Sequence, residues 1–436
     1  MLSIKALLEN IDDAVNRLKS REPEFDRVYE KIVQLDENRR RLIREVEELQ
    51  ARHNAMSKEI GILKKSGGDA SELLEKSQQL ANRIKNLDSE RNAAIAKLDA
   101  IVEVLPNIPI DPTPLVGDKS GNIVVKTWKE PKTPEQWDFK FRHHIEVAEN
   151  LGANGGLDFI RAAKMTGSNW PMYRGDLARL EWALVMFLID RSVEDGRELI
   201  IPPYLVNSQS MFSSGQFPKF REQAYECKDD DLVLLPTSEV ALLNLYRDEI
   251  IPAERLPMRL SSFTPCFRRE AGTYGKDERG LIRIHQFHKI ELFSFVLPEE
   301  SRAELERMTR FAESPVESLG LPYRTTLLAA GDLAHQSACT YDIEVWLPGQ
   351  NSYSEASSVS NCTDYQSRRL NIRYQKKLDN GKKERGYIHL LNGTAVAVSR
   401  AIIAILENFQ QADGSVVIPE ALRPYTGFER IGGGKG

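Results

Sequence analysis

FRREAG at residues 267–272 and LIRIHQFHKIE at residues 281–291 flank a short charged loop. Apolar and polar residues alternate on both sides of this loop, which predicts a strand, a loop and a second strand. One face of the second strand then carries Arg283, His285, Phe287, Lys289 and Glu291. If this face is buried, its cations, aromatic ring and acid predict a site for an anionic ligand with a planar ring.

Two other interpretations of this stretch stay open from the residues alone. In the first, the polar face belongs to a solvated edge strand. In the second, His285, His288 and Glu291 bind a metal ion. Strand alternation places His288 on the opposite face from the other two, so we expect no zinc site here. The loop has glycine at three positions between residues 272 and 280, which favours a mobile connection over a tight turn.

Residues 28–105 carry a heptad pattern of apolar side chains. Steps of four and three residues run from Val28 to Leu63 and again from Leu73 to Leu105, with a glycine-rich turn between them. This pattern predicts an antiparallel helical hairpin zipped as a coiled coil, about 54 Å long. Such a rod buries only its own seam, so it is an arm that reaches a partner or a dimerisation device.

The predicted domain layout follows from the hairpin and from the prolines behind it. Helix is disfavoured between Pro106 and Pro114, because proline lacks an N–H and restricts the residue before it. The segments are an N-terminal domain at 1–105 with its arm at 28–105, a Pro-rich linker at 106–120, a catalytic domain at 121–430 and a disordered tail at 431–436.

The region after the linker mixes strands and helices in an irregular order. The pattern predicts helices at 174–196 and 396–409, a strand that begins at Glu198 and a β-rich segment at 283–297. This order favours an α+β fold with an antiparallel sheet over a βαβ winding. Neither GxGxxG nor a P-loop motif is present, so no Rossmann or P-loop nucleotide site is expected.

Composition excludes several classes of protein. Hydrophobic residues make up 41% and charged residues 28% of the chain, which excludes global disorder. The longest apolar run, Trp182–Ile189, is far shorter than the ~20 residues of a membrane span. Scattered cysteines and a start without a leader pattern predict a cytoplasmic protein. The net charge is −5, so any nucleic-acid surface must be local.

Six stretches resemble the seryl-tRNA synthetase family of class II aminoacyl-tRNA synthetases. They are the hairpin with NAMSKEIG at 54–61, GRELIIPPYLV at 196–206, LPTSEVALL at 235–243, the FRREAG and RIHQFHKIE pair, SYSEASSVSNCTDYQSRR at 352–369 and LNGTAVAVSRAIIAILEN at 391–408. In that order they resemble the tRNA-binding arm, the dimer element motif 1, the serine-binding loop, motif 2, the ATP- and magnesium-binding strand and motif 3. The hairpin together with the TSE loop is specific to the serine enzymes.

The chain departs from the family pattern at a few positions. Thr394 stands where many members have serine, which keeps a hydroxyl group, and Val359 stands where cysteine is common. TGSNWPMYR at 166–174 matches the pattern only loosely, which leaves the local shape beside the pocket open.

The resemblance implies a class II antiparallel β-sheet catalytic domain flanked by helices, plus the N-terminal coiled-coil hairpin. It implies a homodimer that activates L-serine with ATP and Mg²⁺; from strand alternation and the short apolar runs, neither zinc nor a membrane is expected. The seryl group then passes to the 3′-terminal ribose of tRNA(Ser), with tRNA(Sec) as a further candidate.

The site residues that the resemblance implies form four groups. The catalytic cations are Arg268 and Arg400. The serine-binding residues are Thr237, Ser238, Glu239, Glu291, Asn392 and Thr394. The ATP-binding residues are Arg268, Arg269, Glu270, Phe287, Glu355, Ala356, Ser357, Ser358 and Arg400, of which Glu355 and Ser358 also hold magnesium. The tRNA-binding residues are Arg39, Arg40, Arg41, Arg44, Arg52, Lys64 and Lys65.

These residue types suit the chemistry. A serine carboxylate is already a nucleophile, so the site needs fixed cations rather than a strong base. Glu291 and Thr394 are candidates for the substrate hydroxyl, and Thr237 and Glu239 for the ammonium group. A site that hydrogen-bonds the hydroxyl rejects analogues lacking it by roughly 10⁴–10⁵.

On the arm, residues 39–65 hold eight basic and four acidic residues, which predicts a local RNA-binding surface.

Simpler interpretations accompany each assignment. In these interpretations, the Thr237–Glu239 segment is only a helix cap and Glu355 is only a surface acid. Likewise, Arg400 pairs with an acid on its own helix, and the charges of the arm form a solvated coiled-coil face. Two other functions compete, namely a structural coiled-coil protein with an inactive synthetase-like domain and a ligase that charges a carrier protein. Retention of Arg268, Glu291 and Arg400 argues against the first, and the long arm argues against the second.

Overall fold

The computed structural model describes residues 1–9, 11–151, 156–271 and 280–432. It divides into two compact units, Met1–Ile108 and Pro109–Gly436. The predicted mobile loop with Gly272 and Gly275 lies outside the described residues, as does the end of the predicted tail at 433–436. No helix within the described ranges is long and apolar enough to cross a lipid bilayer.

The first unit is helical, and its helical hairpin confirms the prediction from the heptad pattern. Its helices are α1 (Ile4–Glu9), α2 (Ile11–Lys19), α3 (Phe25–Lys65) and α4 (Ser71–Glu103). With 41 residues, α3 is about 60 Å long. Side chains from the predicted heptad positions are buried on the two long helices, namely Ile32, Leu42, Val46, Ile60, Ile84, Ala94 and Leu98.

The turn between α3 and α4 has local causes. Gly67 has φ +77°, a conformation that glycine adopts without strain, and the N–H of Gly68 donates to the carbonyl of Leu63 at 3.0 Å. The Asp69 carboxylate accepts from the backbone N–H and the hydroxyl of Ser71 at 2.9 and 2.6 Å. These bonds satisfy the backbone groups that the ends of both helices leave open, so the chain reverses within five residues.

The second unit combines helices with a large sheet. Its helices are α5 (His144–Glu149), α6 (Phe159–Thr166), α7 (Gly175–Glu194), α8 (Ser208–Ser214), α9 (Glu239–Asn244), α10 (Ser301–Ser318), α11 (Tyr365–Leu370), α12 (Val398–Asn408) and α13 (Arg423–Thr426). Its strands are β1 (Ile123–Trp128), β2 (Glu198–Ile200), β3 (Leu205–Val206), β4 (Val233–Leu234), β5 (Ile250–Pro252), β6 (Met258–Phe267), β7 (Gln286–Val296), β8 (Tyr323–Leu327), β9 (Cys339–Leu347), β10 (Ser352–Asn361), β11 (Arg373–Lys377), β12 (Lys383–Tyr387), β13 (His389–Ala397), β14 (Val416–Val417) and β15 (Arg430–Ile431).

The main sheet has the strand order β1-β8-β9-β10-β13-β7-β6-β2. Its neighbouring strands run antiparallel, which confirms the α+β prediction, except that the edge strand β2 pairs with β6 in parallel. Parallel pairing needs a long connection, and the 57 residues between Ile200 and Met258 supply one. Pro202 and Pro203 end β2 directly, since proline cannot donate to a sheet ladder.

Helices α7, α10 and α12 bury their apolar faces against the main sheet. Leu180 and Leu184 of α7, Met308 of α10, and Ile402 and Ile405 of α12 are completely buried in one core cluster. α12 is apolar almost all round, which a helix can be only when neighbours cover every side. α12 therefore lies at the centre of the unit, and its first turn carries Arg400.

Three boundaries differ from the sequence prediction. β7 begins at Gln286 rather than 283, because Gly280 has φ +75° and the next residues turn before the ladder with β6 starts. Residues of the predicted linker are fixed to the second unit, where the hydroxyl of Thr113 donates to the carbonyl of Ala338. Ile431, placed in the predicted tail, is 2% exposed and pairs with Val416.

Candidate active site

A cavity of 470 Å³ opens over the centre of the main sheet. Strands β7, β10 and β13 form its floor, and Arg268 after β6, the segment before α9 and the start of α12 form its sides. Among its lining residues are Thr237, Glu239, Arg268, Glu270, Phe287, Glu291, Glu355, Ala356, Ser357, Ser358, Asn392, Thr394 and Arg400. The polar face of β7 is thus an interior surface, which rules out the solvated edge strand.

One end of the cavity holds a buried cluster of three polar side chains. Lys289 donates to the hydroxyl of Thr237 at 2.9 Å and forms an ion pair with Glu291. The Thr237 hydroxyl donates in turn to the Glu291 carboxylate at 3.0 Å. Thr237, Lys289 and Glu291 are 5%, 7% and 2% exposed. Each charge is compensated locally, as burial requires, and the cluster is held in one geometry.

A second carboxylate, that of Glu239, lies at the same end. Its Oε1 accepts from the amides of Gln366 and Asn392 at 2.7 and 2.9 Å. Burial, together with the nearby Glu291 carboxylate, raises the pKa of Glu239 to about 7. With Lys289 offsetting one carboxylate, this end carries a net negative charge when Glu239 is ionised, and it suits a small cation.

Cations and an aromatic ring form the other end of the cavity. Arg268 follows β6, and its guanidinium lies 5.2 Å from the ring centroid of Phe287 on β7. Glu270 and Arg283 stand on opposite sides of the loop outside the described residues and form an ion pair at 3.5 Å. Arg400 donates to the carbonyl of Ile282 at 3.4 Å. This combination of guanidinium groups and a stacking surface suits a nucleotide.

Glu355 and Ser358 share the cavity wall because β10 contains a β-bulge. In a regular strand, residues three apart point to opposite faces. The pairing of β10 with β9 shifts between Glu355 and Ser357, so that Glu355 faces Glu344 and Ser358 faces Asp342. The bulge brings both oxygen groups to one side. Burial and the Glu355 carboxylate raise the pKa of Asp342 to about 8.

A second cavity of 420 Å³ adjoins the first and shares Thr237, Arg268 and Glu270 with it. The lining that is its own includes Met211, Phe220, Gln223, Ala224, Pro236 and His335. Gln223 fixes one wall, because its side chain donates to the carbonyl of Ala271 and accepts from the Ala271 N–H, at 3.0 and 2.9 Å. The two cavities therefore meet at Arg268.

Two family models match the chain. One is described as tRNA synthetase class II core domain (G, H, P, S and T) and matches residues 223–409; the other is described as Seryl-tRNA synthetase N-terminal domain and matches residues 1–109. The serine–tRNA ligase of Desulfitobacterium hafniense (strain Y51) is 43% identical over 99% of this chain and 100% of its own. That of Geobacillus kaustophilus is 44% identical over 98% and 99%.

A solved structure is similar over the full length. The seryl-tRNA synthetase from Pyrococcus horikoshii, complexed with ATP, is 38% identical, has a TM-score of 0.92 and covers 100% of both chains. The chain belongs to the seryl-tRNA synthetase family. Family membership confirms the resemblance seen in the motifs, from the N-terminal hairpin to motif 3.

Two residues that the seryl-tRNA synthetase motifs implied do not line the first cavity. Ser238 is completely buried at the N-terminal end of α9, and its side chain makes no capping hydrogen bond there, which does not support the helix-cap interpretation of this residue. Arg269 is exposed, and its backbone N–H donates to the carbonyl of Gln223. Arg268 is exposed as well, but consecutive residues at a strand end alternate in direction, and of the two arginines Arg268 lines the cavity.

The histidines of motif 2 do not converge with Glu291. His285 precedes β7, and its Nδ1 lies 2.9 Å from the carbonyl oxygen of Arg268. His288 points to the other face of the sheet, with Nδ1 2.8 Å from Glu181 on α7. The expectation that motif 2 holds no zinc stays a prediction.

Sequence reasoning missed several cavity residues. Lys289 and Arg283 lie on the predicted polar face, but the family motifs implied no role for them, although their charge was a signal. Gln366 and Asp342 do not line the cavity but lie against Glu239 and Ser358, and they had no such signal, because only the packing of α11 and the register of β9 bring them there.

The candidate tRNA-binding residues of the arm fall into two classes. Arg39 and Arg40 both pair with Asp36, at the short distances of 2.5 and 2.6 Å, and Arg41 pairs with Glu45 at 2.7 Å. Of the seven candidates, all within the described part of the chain, Arg44, Arg52, Lys64 and Lys65 are exposed and have no side-chain hydrogen-bond or ion-pair partner. The second class is therefore available to an anionic partner without first breaking an ion pair.

Proposed function

We propose that this chain is a serine–tRNA ligase that works in two steps in the 470 Å³ cavity. In the first step, the serine carboxylate oxygen attacks the α-phosphorus of ATP, and pyrophosphate leaves. In the second step, a terminal ribose hydroxyl of tRNA attacks the carbonyl carbon of seryl-adenylate, and AMP leaves. The observation that carries the proposal is a single cavity with a compensated polar cluster at one end and guanidinium groups beside a phenyl ring at the other.

Arg268 takes the central role, because its guanidinium lies beside Phe287 at the cation end while its Nε donates to the carbonyl of Pro236, next to Thr237. Its guanidinium can hold the amino-acid carboxylate and the α-phosphate together, so that the reacting atoms meet in line. Charge that develops on the phosphoryl oxygens is then stabilised by a group already in place. Phe287 holds the adenine ring, Glu270 accepts from its amino group, and Arg400 binds the nucleotide from α12.

The polar cluster selects serine. Glu239 and Thr237 receive the ammonium group, and Glu291 and Thr394 bind the hydroxyl. Lys289 holds Thr237 and Glu291 at fixed positions, so alanine leaves buried polar groups without a hydrogen bond. Threonine carries an extra methyl group that a cluster of this rigidity does not accommodate.

Glu355 and Ser358 would hold a magnesium ion that accompanies ATP. Their carboxylate and hydroxyl oxygens are the hard ligands that Mg²⁺ prefers, and the bulge in β10 places them on one side. When bound, the ion supplies positive charge that offsets the phosphate oxygens. The geometry of this pair supports magnesium over a softer metal, since neither residue offers sulfur or nitrogen.

The arm and the second cavity serve the tRNA. Exposed cations on α3 bind the phosphates of tRNA(Ser), which the enzyme selects by shape, and tRNA(Sec) is a further candidate for the same surface. The second cavity, which meets the first at Arg268, receives the terminal nucleoside. Its apolar lining with Phe220 offers a stacking surface.

A homodimer is part of the proposal. Apolar side chains are exposed along one side of α7 and beside β2, namely Trp182 (56%), Met186 (44%), Val193 (50%) and Ile201 (70%). An exposed patch of this kind is typical of an interface, and it lies in the motif 1 region. A cytoplasmic location is proposed with the function, since tRNA charging supplies protein synthesis.

ATP–pyrophosphate exchange with each of the twenty amino acids tests the function. We expect exchange with serine, and aminoacylation of tRNA(Ser) in a second assay with no transfer to a carrier protein. Exchange with another amino acid would refute the specificity, and absence of any exchange would favour an inactive synthetase-like domain. Transfer of serine to a carrier protein instead of tRNA would show that the acceptor in the second step is not tRNA.

A further inference from the structure

A buried histidine–glutamate pair lies outside the cavity, where none of the roles above uses it. His144 begins α5 and Glu407 is near the end of α12, and both are completely buried. Glu407 Oε1 lies 2.9 Å from His144 Nδ1 and 3.1 Å from the backbone nitrogen of His144. Its Oε2 accepts from the N–H of Gly349 at 2.8 Å. A buried carboxylate with this many donors has a fixed position.

The hydrogen bonds define the tautomer of His144. The Glu407 carboxylate only accepts, so Nδ1 must carry the proton and donate to it. On the other side of the ring, the backbone N–H of Leu281 donates to Nε2 at 3.4 Å, so Nε2 must be the acceptor. His144 is therefore a neutral bridge between α12 and the chain just after motif 2's loop.

His143, His144 and Glu407 bring three potential metal-ligating atoms within 4.8 Å of one another. The hydrogen bonds nevertheless occupy the atoms that a metal would need. Nδ1 of His144 is protonated and Nε2 faces a backbone donor, so neither nitrogen has a lone pair directed at an ion. The cluster is therefore a hydrogen-bonded link and not a metal site.

The chain at 280–283 fits tightly against the imidazole ring. A Cβ at Gly280 would lie 2.4 Å from His144 Nε2, so only glycine permits this approach, and its φ of +75° also favours glycine. One residue beyond Leu281, the carbonyl of Ile282 accepts from Arg400. The segment is thus held by a ring nitrogen at the N–H of Leu281 and by a guanidinium at the carbonyl of Ile282.

Arg400 and Glu407 are seven residues apart on α12, about two helical turns, and therefore lie on the same side of the helix. Arg400 holds Ile282 directly, while Glu407 holds Leu281 through His144. Arg283 follows at once, lines the cavity and pairs with Glu270. One face of α12 thus determines where the nucleotide end of the cavity has its cations.

We propose that His144 is a positioning residue for the nucleotide end of the cavity. By joining Glu407 to the Leu281 backbone, it fixes residues 280–283 relative to Arg400, and so sets Arg283 and the start of β7 for ATP. This inference rests on the proposed function for its ligand. It predicts an effect on ATP without an effect on serine, because the serine cluster at Thr237, Lys289 and Glu291 makes no contact with this link.

His144→Asn in the full-length protein tests the link. The shorter amide keeps an N–H donor for Glu407 and removes the acceptor at the Nε2 position. We expect ATP to bind about tenfold more weakly by isothermal titration calorimetry, the effect of removing one buried hydrogen bond. Serine binding should stay within about twofold on the same scale. His144→Gln, which can place its amide oxygen near Nε2, should restore much of the ATP affinity.

Two further measurements keep the proposal falsifiable. His143→Asn is the matched control: Nε2 of His143 lies 3.7 Å from Glu407 Oε1, and removing this ring should leave ATP affinity unchanged. Side-chain ¹⁵N NMR of His144 should show a protonated Nδ1 and an unprotonated Nε2. Gly280→Ala should reproduce the ATP defect, since its methyl group would press on Nε2.

Several outcomes would overturn the proposal. One is unchanged ATP affinity in His144→Asn; another is equal weakening of ATP and serine, which would indicate a general structural defect. A proton on Nε2 would contradict the bridge itself. Calorimetry needs no turnover, so these outcomes are separate from a failure of serine-dependent exchange in the unmodified protein, which would refute the proposed function instead.

Discussion

The arm and the cavity use charge in opposite ways. On α3 most of the candidate RNA-binding cations stand in solvent, and the buried side chains are the apolar seam of the hairpin and Asp36, the partner of Arg39 and Arg40. In the cavity Lys289 is 7% and Glu291 is 2% exposed, and each is held by the other and by Thr237. Exposed charges act over distance and are weakened by salt, whereas buried charges act through fixed geometry. Substitutions or deletions in the two regions should therefore have different effects on the protein.

Removing the arm is expected to have the largest effect on one reaction and almost none on the other. When a short linker replaces residues 28–105, serine-dependent pyrophosphate exchange should persist, because the second unit has its own core. Charging of tRNA should fall by about 10²–10⁴, the usual contribution of a second tethered binding module. Near-normal charging by the shortened protein would show that the hairpin is a structural or dimerisation element.

Arg268→Ala should have the converse effect. We expect serine-dependent exchange to fall about 10²–10³-fold, because the alanine provides no preorganised donor for the developing charge. Binding of tRNA, measured by filter retention, should not change. Arg269→Ala is the matched control, since that neighbouring arginine is exposed as Arg268 is but does not line the cavity. Exchange within about threefold of the unmodified protein in Arg268→Ala would refute the central role of Arg268.

The contrast also explains what the sequence could predict. The hairpin follows from a local pattern, since each heptad residue is buried by the opposite helix at a spacing fixed by helix geometry. Phe287 and Glu291 were also accessible, because the period of two along a strand sorts their side chains, whereas the role of Arg268 was implied only by the resemblance of its motif to the family. Such periodic signals need no knowledge of the rest of the fold.

Other parts of the site have no local signal. Glu355 and Ser358 are three residues apart, and only the bulge in β10 places them on one face. Gln366 reaches Glu239 from α11, 127 residues away in the chain. The parallel pairing of β2 with β6 likewise depends on the whole sheet. Irregular geometry and long-range packing thus set the limit of sequence reasoning for this fold.

Serine binding should depend on pH near neutrality. The pKa of Glu239 is raised to about 7, so its carboxylate is charged above this pH and protonated below it. A protonated Glu239 offers no charge to the serine ammonium group, so affinity should fall as pH decreases. Between pH 8 and 6 the charged fraction drops from about 0.9 to 0.1, which predicts about a tenfold rise in the serine Kd.

Glu239→Gln provides the control for this pH dependence. The amide keeps the size of the side chain and cannot titrate, so serine binding should be weak and nearly independent of pH over the same range. ATP binding should show no transition that depends on Glu239, which lies at the other end of the cavity. A pH transition that persists unchanged in Glu239→Gln would assign it to another group.

The smallest expected effect separates the two classes of cations on the arm. Arg44→Gln, Arg52→Gln, Lys64→Gln and Lys65→Gln together should reduce the slope of log Kd for tRNA against log salt by about 0.7–0.9 for each phosphate that is no longer neutralised. The same change at Arg39, Arg40 and Arg41 should reduce it less, because Asp36 and Glu45 already hold these guanidinium groups. Their ion pairs must break before they bind a phosphate, which offsets part of the gain.

Serine and ATP affinities should stay constant in both sets. Equal slopes for the two sets would mean that pairing along α3 does not decide which cations meet the RNA, and a change in serine affinity would show that the arm and the cavity do not act independently.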